Sequence, residues 1–247
     1  MIPKIIHYCW FGRNPLPASA MKCIASWRKY LPDYEIKEWN EDNFDVNSIP
    51  YTKQAYEAKK YAFVSDYARF WILYYEGGLY FDTDVEIVAN MDEIIARGPF
   101  MGIEQGASLE GKPMVAPGLG LGVEAGHPFY EKMLRVYSHQ NYLNADGTYN
   151  NMTIVSYTTK ELYAHGMKPS EDMQEVEGIW IYPADYFCPM DSTTGIITKT
   201  KRTVSIHHYD CSWMDHGSMS FRIHQLKNIL YRMIGQRNAQ LINRLLH

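Results

Sequence analysis

Cysteine is scarce in this chain: Cys9, Cys23, Cys188 and Cys211 are the only four, and none stands in a C-x-x-C or zinc-ligand spacing. A disulfide framework and a thiolate-held structural metal are therefore not expected, and reduced, buried thiols are. No apolar run approaches the roughly 18 to 20 residues that span a bilayer. Met1-Ile2-Pro3-Lys4 lacks the basic, apolar and small-residue segments of a secretory signal, so the expectation is a chain that stays in the cytoplasm. Excess positive charge is missing as well, since 24 Lys and Arg face 28 Asp and Glu for a net charge of −4. A surface-wide grip on nucleic acid is not expected. What is abundant is apolar and aromatic: 46% hydrophobic residues, with 20 Tyr and 6 Trp in 247. That excludes disorder and suffices for one sizeable core.

The order of local patterns points to an α/β fold. Lys4 to Trp10 (KIIHYCW) is a β-branched and aromatic run ending at Phe11-Gly12, and it reads as a buried first strand. Ser19 to Tyr30 is helical in character, with Met21, Ile24 and Trp27 on one stripe, and Tyr34 to Trp39 alternates as a second strand. Lys53 to Tyr75 contains no Gly or Pro, which predicts a long helix, broken near its middle and stopped at Gly77-Gly78. Leu79 to Phe81 is a very short buried strand, and Val85 to Val88 resumes extended structure. Strand, helix, strand, helix, strand is the order of a mostly parallel, Rossmann-like sheet with crossover helices. Further on, helices are expected near Pro128 to Tyr142 and Ile154 to His165, and strands near Trp180 to Phe187 and Thr203 to Tyr209. With no repeat or linker in sight, the reading is one domain over residues 1–221 followed by a basic helical extension over 222–247.

The chemistry centres on Leu79-Tyr80-Phe81-Asp82-Thr83-Asp84. Two carboxylates two residues apart, after a buried strand, can be presented together at its carboxyl end, where a divalent cation held by oxygen would keep open positions for a diphosphate. The bare D-x-D pattern means little in a chain with 13 Asp. Its place supplies the specificity, because ligands of open α/β sheets bind at the carboxyl ends of the strands. Asp66 and Arg69 stand at i, i+3 and so share one face of the long helix. A surface ion pair and a polar pair aimed into the cleft both remain open readings. The apolar neighbours Phe63, Ala68, Phe70 and Trp71 imply a mostly buried helix, in which charges need partners.

Taken together, I-P-K-I-I-H-Y-C-W-F-G at the N-terminus, Ser26-Trp27, Tyr34 to Trp39 as Y-x-x-x-x-W, S-D-Y-A-R-F at Ser65 to Phe70 and G-G-L-Y-F-D-T-D resemble glycosyltransferase family 32. This is the DXD sugar-binding group, which includes yeast-type mannosyltransferases, bacterial capsule and lipooligosaccharide transferases and the glucosyltransferase domains of large clostridial toxins. The resemblance is densest over residues 1–90, with echoes at Gly126-His127-Pro128-Phe129, Tyr182-Pro183, Tyr186-Phe187, His207-His208-Tyr209 and Ser212-Trp213. It implies a GT-A fold and retaining, metal-dependent transfer of a hexose from a nucleotide sugar, UDP-linked by preference. The acceptor implied is a saccharide or lipid-linked glycan in capsule, lipopolysaccharide or other glycan synthesis. It further implies that Trp10 stacks on the donor base and that Asp66 and Arg69, with Ser65 beside them, clamp the donor sugar. Tyr80 and Asp82 would reach ribose, sugar and metal waters. Asp82, Asp84 and His208 would hold Mn²⁺ or Mg²⁺, and Ser212-Trp213 would close over the β-phosphate.

Other features have plainer readings. Gly118, Gly120 and Gly122 form G-x-G-x-G rather than the dinucleotide fingerprint, so close backbone packing is expected there. His7 reads as a satisfied core histidine and His127 as a structural one before a helix. If Thr203 to Tyr209 is a strand, only one of His207 and His208 can face a site. Past Phe221 come five basic residues, Arg222, Lys227, Arg232, Arg237 and Arg244, and no acid. Packing on the domain and peripheral contact with an anionic membrane at its inner face remain equally open for that segment. Two further functional classes compete with the transferase reading: a non-catalytic nucleotide-sugar or carbohydrate-binding module, and a metal-dependent sugar phosphotransferase.

Overall fold

The structure, a computed structural model, describes residues 1–191 and 195–210. The expected extension over 222–247, and with it Ser212 and Trp213, lies outside the described residues.

Strand β1 (Ile5–Cys9) is the apolar run at the N-terminus, and it lies inside the sheet, second from one edge. It pairs in parallel with β2 (Glu35–Trp39) on one side and with β3 (Gly78–Tyr80) on the other. The connections are helices: α1 (Ala18–Tyr30) between β1 and β2, then α2 (Pro50–Glu57) and α3 (Tyr61–Glu76) before β3. The predicted break in the long helix falls at Lys59, which sits at φ 57°. Helix α3 stops where foreseen, because Gly77 takes φ 66° and its N–H returns to the Leu73 carbonyl. The buried stripe of α1 is Ala20, Cys23, Ile24 and Trp27, whereas Met21 is 54% exposed. The i, i+3, i+4, i+7 spacing of those four covers the core-facing side and leaves Met21 outside it.

Beyond β3 the pairing becomes mixed. Strand β4 (Val85–Ile87) leaves the sheet and makes an antiparallel pair with β10 (Ser205–His207). After the short helix α4 (Asp92–Arg97), the hairpin of β5 (Phe100–Leu109) and β6 (Lys112–Val115) and the strand β7 (Leu121–Val123) follow. β7 inserts antiparallel between β3 and β5, and Gly122 lets it do so, since a Cβ there would overlap the Phe100 ring. Helices α5 (Pro128–Ser138) and α6 (Ile154–Ala164) then cover one face. The antiparallel pair of β8 (Gln174–Val176) and β9 (Ile179–Tyr182) closes the far edge, β9 parallel to β5. The order is β2-β1-β3-β7-β5-β9-β8. β2, β1, β3, β5 and β9 run one way, while β6, β7 and β8 run against them, so most strands of the sheet are parallel, as expected. The strand foreseen over 180–187 is cut at Pro183, after which Ala184–Phe187 turn as helix α7.

Each sheet face carries its own core. One gathers α2, α3, α5 and α6 around Tyr51, Phe70, Tyr130 and Tyr137. The other packs Trp27, Phe81, Phe100 and Phe187 beneath α1 and α7. The site forms between them, at the carboxyl ends of β1 and β3.

Candidate active site at the carboxyl end of the third strand

The chain leaving β3 is held in place before it presents any carboxylate. Phe81 N–H donates to the His7 carbonyl at 3.2 Å, Asp82 N–H to the Gly118 carbonyl at 3.2 Å, and Val85 N–H back to the Asp82 carbonyl at 3.0 Å. The last bond closes a turn over Asp82 to Val85, bringing Asp82 and Asp84 to one edge. Gly118 lies so close that a Cβ would run into the Asp82 carboxylate and crowd Arg69. The glycine-rich stretch is thus close backbone packing against the acidic turn.

Asp82 is the outer end of a chain of charges. Its Oδ2 accepts from Arg69 Nη1 at 3.2 Å, and its Oδ1 accepts from the Tyr80 hydroxyl at 3.2 Å. Arg69 Nη2 pairs with Asp66 Oδ1 at 3.0 Å, Nε donates to the Ser65 carbonyl at 3.2 Å, and the guanidinium lies 4.9 Å over the Tyr80 ring. With Asp66 8% and Arg69 3% exposed, the surface-pair reading is excluded and the pair faces the site. Burial raises the Asp66 carboxyl to about 7, against the pull of Arg69 and of the Ile154 N–H at the start of α6. Ser65 turns its hydroxyl to the Tyr61 carbonyl, one turn back along the same helix.

Asp84 has a different set of partners. His207 Nε2 lies 3.1 Å from its Oδ1, the Asp210 N–H donates to its Oδ2 at 3.0 Å, and the His208 N–H to its carbonyl at 2.9 Å. Burial disfavours charge on both side chains, but the pairing prevails. Asp84 is held below the usual carboxylate range and His207 is raised to about 9. Here the sequence expectation needs a correction, because the histidine beside the carboxylates is His207. In β10 it stands opposite Val85, one residue past Asp84, while neighbouring His208 points the other way and meets Glu86 Oε2 at 2.9 Å.

Ligand atoms of Asp82, Asp84 and His207 all lie within 4.8 Å of one another, and His207 Nδ1 is buried with no hydrogen-bond partner among the described residues. Two carboxylates and an imidazole fit a hard divalent cation such as Mn²⁺ or Mg²⁺ once His207 is neutral.

Trp10 directly follows β1 at the same end of the sheet. Its N–H donates to the Trp39 carbonyl at 2.8 Å and its indole N–H to the Asn14 carbonyl at 2.6 Å. The ring is half-buried. His7 is the satisfied core histidine that was foreseen: Nδ1 accepts from the Trp39 indole at 3.0 Å and Nε2–H donates to the Gly77 carbonyl at 2.9 Å. Burial keeps it neutral, down to about 4. His127 caps α5, accepting the Phe129 N–H at 3.3 Å. Sequence reasoning passed over Glu104, which faces His207 from β5. The available signal was the one that marked Asp82, an apolar strand run (Phe100 to Ile103) ended by an acid.

Comparison with known proteins agrees with this geometry. Residues 17–101 match the family described as "Glycosyltransferase sugar-binding region containing DXD motif". An uncharacterized glycosyltransferase of Acanthamoeba polyphaga mimivirus is 25% identical over 217 residues, 81% of this chain and 82% of that protein. Inositol phosphoceramide mannosyltransferase 3 of Schizosaccharomyces pombe is 28% identical over 138 residues, 54% of this chain but 36% of the yeast enzyme. Among solved structures, a glycosyltransferase involved in glycosylation of the major capsid of PBCV-1 shares the fold. Its TM-score is 0.51 at 10% identity, over 93% of this chain and 100% of that one. Residues 17–101 therefore match a glycosyltransferase sugar-binding region containing a DXD motif, and the chain is similar to glycosyltransferases in sequence and shares a glycosyltransferase fold.

Proposed function

We propose that this glycosyltransferase moves a hexose from a nucleoside diphosphate sugar, UDP-linked by preference, to a saccharide or lipid-linked glycan acceptor, with retention at the anomeric carbon. The observation that carries the reading is the meeting of Asp82, Asp84 and His207 at the carboxyl end of β3, beside the buried Arg69. Loss of the nucleoside diphosphate puts negative charge on the β-phosphate. A bound Mn²⁺ or Mg²⁺, held by Asp82, Asp84 and His207, would neutralise that charge without a proton donor.

The chain's own groups divide the remaining work. Arg69 has no freedom to move, being fixed by Asp66, Asp82 and the Ser65 carbonyl, and so offers a preorganised charge at the sugar. Trp10 offers a ring for the base. No unpaired carboxylate stands ready as nucleophile in the Asp66–Arg69–Asp82 chain, which favours attack by the acceptor hydroxyl on the face the diphosphate leaves.

The yeast relative is named for transfer of mannose to inositol phosphoceramide, which supports testing GDP-mannose and lipid-borne acceptors beside UDP-sugars and soluble saccharides. No helix among the described residues is long and apolar enough to cross a membrane. The placement at the inner membrane face rests on the basic segment after Phe221, and co-sedimentation with anionic liposomes at low salt tests it. The reading as a whole is tested by incubating the protein with Mn²⁺ and a panel of nucleotide sugars and following release of the nucleotide. Turnover of one donor is expected. Binding without turnover of any donor, with every acceptor tried, would instead support a non-catalytic module.

A further inference from the structure

Tyr209 stands at φ 52°, a left-handed conformation that a residue other than glycine holds only where its surroundings impose it. The backbone has a use for it. Beyond His207 the chain must bend so that the His208 N–H reaches the Asp84 carbonyl and the Asp210 N–H reaches the Asp84 carboxylate. The Tyr209 side chain is what imposes the bend. Its ring packs edge-on against His207, centroids 4.2 Å apart at 72°. Its hydroxyl donates to Glu104 Oε1 at 3.1 Å and lies 3.0 Å from the buried Cys188 sulfur. Glu104 belongs to β5, in the half of the sheet beyond β7, whereas Tyr209 follows β10, which pairs only with β4 among the described strands. Their hydrogen bond therefore ties the small β4–β10 sheet to the main one.

We propose that Glu104 is a positioning residue: by accepting the Tyr209 hydroxyl it fixes the bend over residues 207–210, and so sets the His207 imidazole and the Asp210 N–H against Asp84. The role rests on the reading of Asp82, Asp84 and His207 as the cation site. Glu104 itself touches neither cation nor sugar. The Tyr209 hydroxyl donates to a carboxylate oxygen, so the ring cannot swing away without breaking that hydrogen bond. A glutamine keeps an acceptor oxygen at the same reach, whereas an alanine does not.

The test uses the full-length chain in four variants: Glu104→Ala, Glu104→Gln, Tyr209→Phe and Asp84→Asn. Two readouts are taken, amide hydrogen exchange of the metal-free protein and Mn²⁺ binding in the presence of UDP by electron paramagnetic resonance. In Glu104→Ala and Tyr209→Phe, the His208 and Asp210 amides should exchange roughly tenfold faster and Mn²⁺ should bind roughly tenfold more weakly, the size of one net hydrogen bond. The amides of α3 should not change, and Glu104→Gln should stay close to the parent in both readouts. Parent-like exchange and Mn²⁺ binding in Glu104→Ala and Tyr209→Phe, with binding lost in Asp84→Asn, would overturn the positioning role alone. A Glu104→Gln variant as impaired as Glu104→Ala would overturn the route through Tyr209. Faster exchange throughout α3 would reduce Glu104 to a general stability residue, and parent-like Mn²⁺ binding by Asp84→Asn would remove the cation site and the proposal together.

Discussion

Arg69→Met removes the cation that stands between two carboxylates and leaves an apolar side chain of similar length. Among the described residues, Asp66 would then keep only the Ile154 N–H as a hydrogen-bond partner, at 8% exposure, having lost its 3.0 Å ion pair. Removing one member of a buried pair costs about 3–5 kcal/mol, most of it the penalty of the charge left behind. For a chain of this size each kcal/mol is about 2–4 °C in melting temperature, so a fall on the order of 10 °C is expected at alkaline pH, where Asp66, raised to about 7 in the parent, is ionised. The pH dependence carries the sharper test. An unpaired buried carboxyl has its pKa pushed above the unfolded value, so the native state binds more protons and stability is regained as pH falls. Asp66 is already raised to about 7 in the parent, so the variant should recover its loss relative to the parent as pH falls toward 7, and the two should share one pH dependence of Asp66 below that. Asp66→Asn added to Arg69→Met should restore most of the loss at alkaline pH, because no buried charge then lacks a partner. Urea unfolding of both variants across that range measures these differences. A loss below about 1 kcal/mol, or no recovery on adding Asp66→Asn, would show that Arg69 is not the counter-charge of a buried Asp66.

Three further outcomes follow from other parts of the molecule. His7 stays neutral in the native state down to about pH 4 but takes a proton near 6.5 when unfolded. Stability should thus fall by on the order of 3 kcal/mol as pH drops from 6.5 to 4. His207 does not mask this, since its raised pKa adds stability that is already complete below 6.5. His7→Gln should flatten the slope in acid unfolding curves, and a flat curve in the parent protein would contradict the assignment. Gly118→Ala places a methyl group against the Asp82 carboxylate. It should displace that carboxylate and cut turnover at least tenfold with a melting temperature lowered by only a few degrees; parent-like turnover would mean that the glycine is not needed there. Trp10→Ala should weaken UDP binding roughly tenfold or more, since stacking on a base is worth about 1–3 kcal/mol, and unchanged affinity by calorimetry would take Trp10 out of the donor site.

Much of the first half of this fold was legible because its determinants are local. A β-branched run makes β1, a stretch free of Gly and Pro makes α3, and Gly77 ends it with a conformation that other residues avoid. The acidic turn was legible for the same reason, an apolar strand followed at once by paired carboxylates. What sequence spacing left open was decided by partners far along the chain. Whether Asp66 and Arg69 form a surface pair depends on α6 starting at Ile154. Which histidine faces the carboxylates depends on the register of β10 against β4, where His207 opposes Val85. Alternation says that only one of the two can serve, but it cannot say which. The β5–β6 hairpin and the antiparallel β7 were missed because their glycines read as loop, when at Gly122 the absent side chain is what admits the Phe100 ring. At Pro183 the local signal was present, and it ends β9 where proline would be expected to.

The central claim is that Asp82 and Asp84 carry a cation-dependent donor site. Nucleotide release from the preferred sugar donor, followed with Mn²⁺ and again with EDTA for the parent chain and for Asp84→Ala, tests it most directly. Turnover by the parent with Mn²⁺ is expected, together with loss on adding EDTA and in Asp84→Ala despite an unchanged far-ultraviolet circular dichroism spectrum. Parent-like turnover by Asp84→Ala in the presence of EDTA would contradict it.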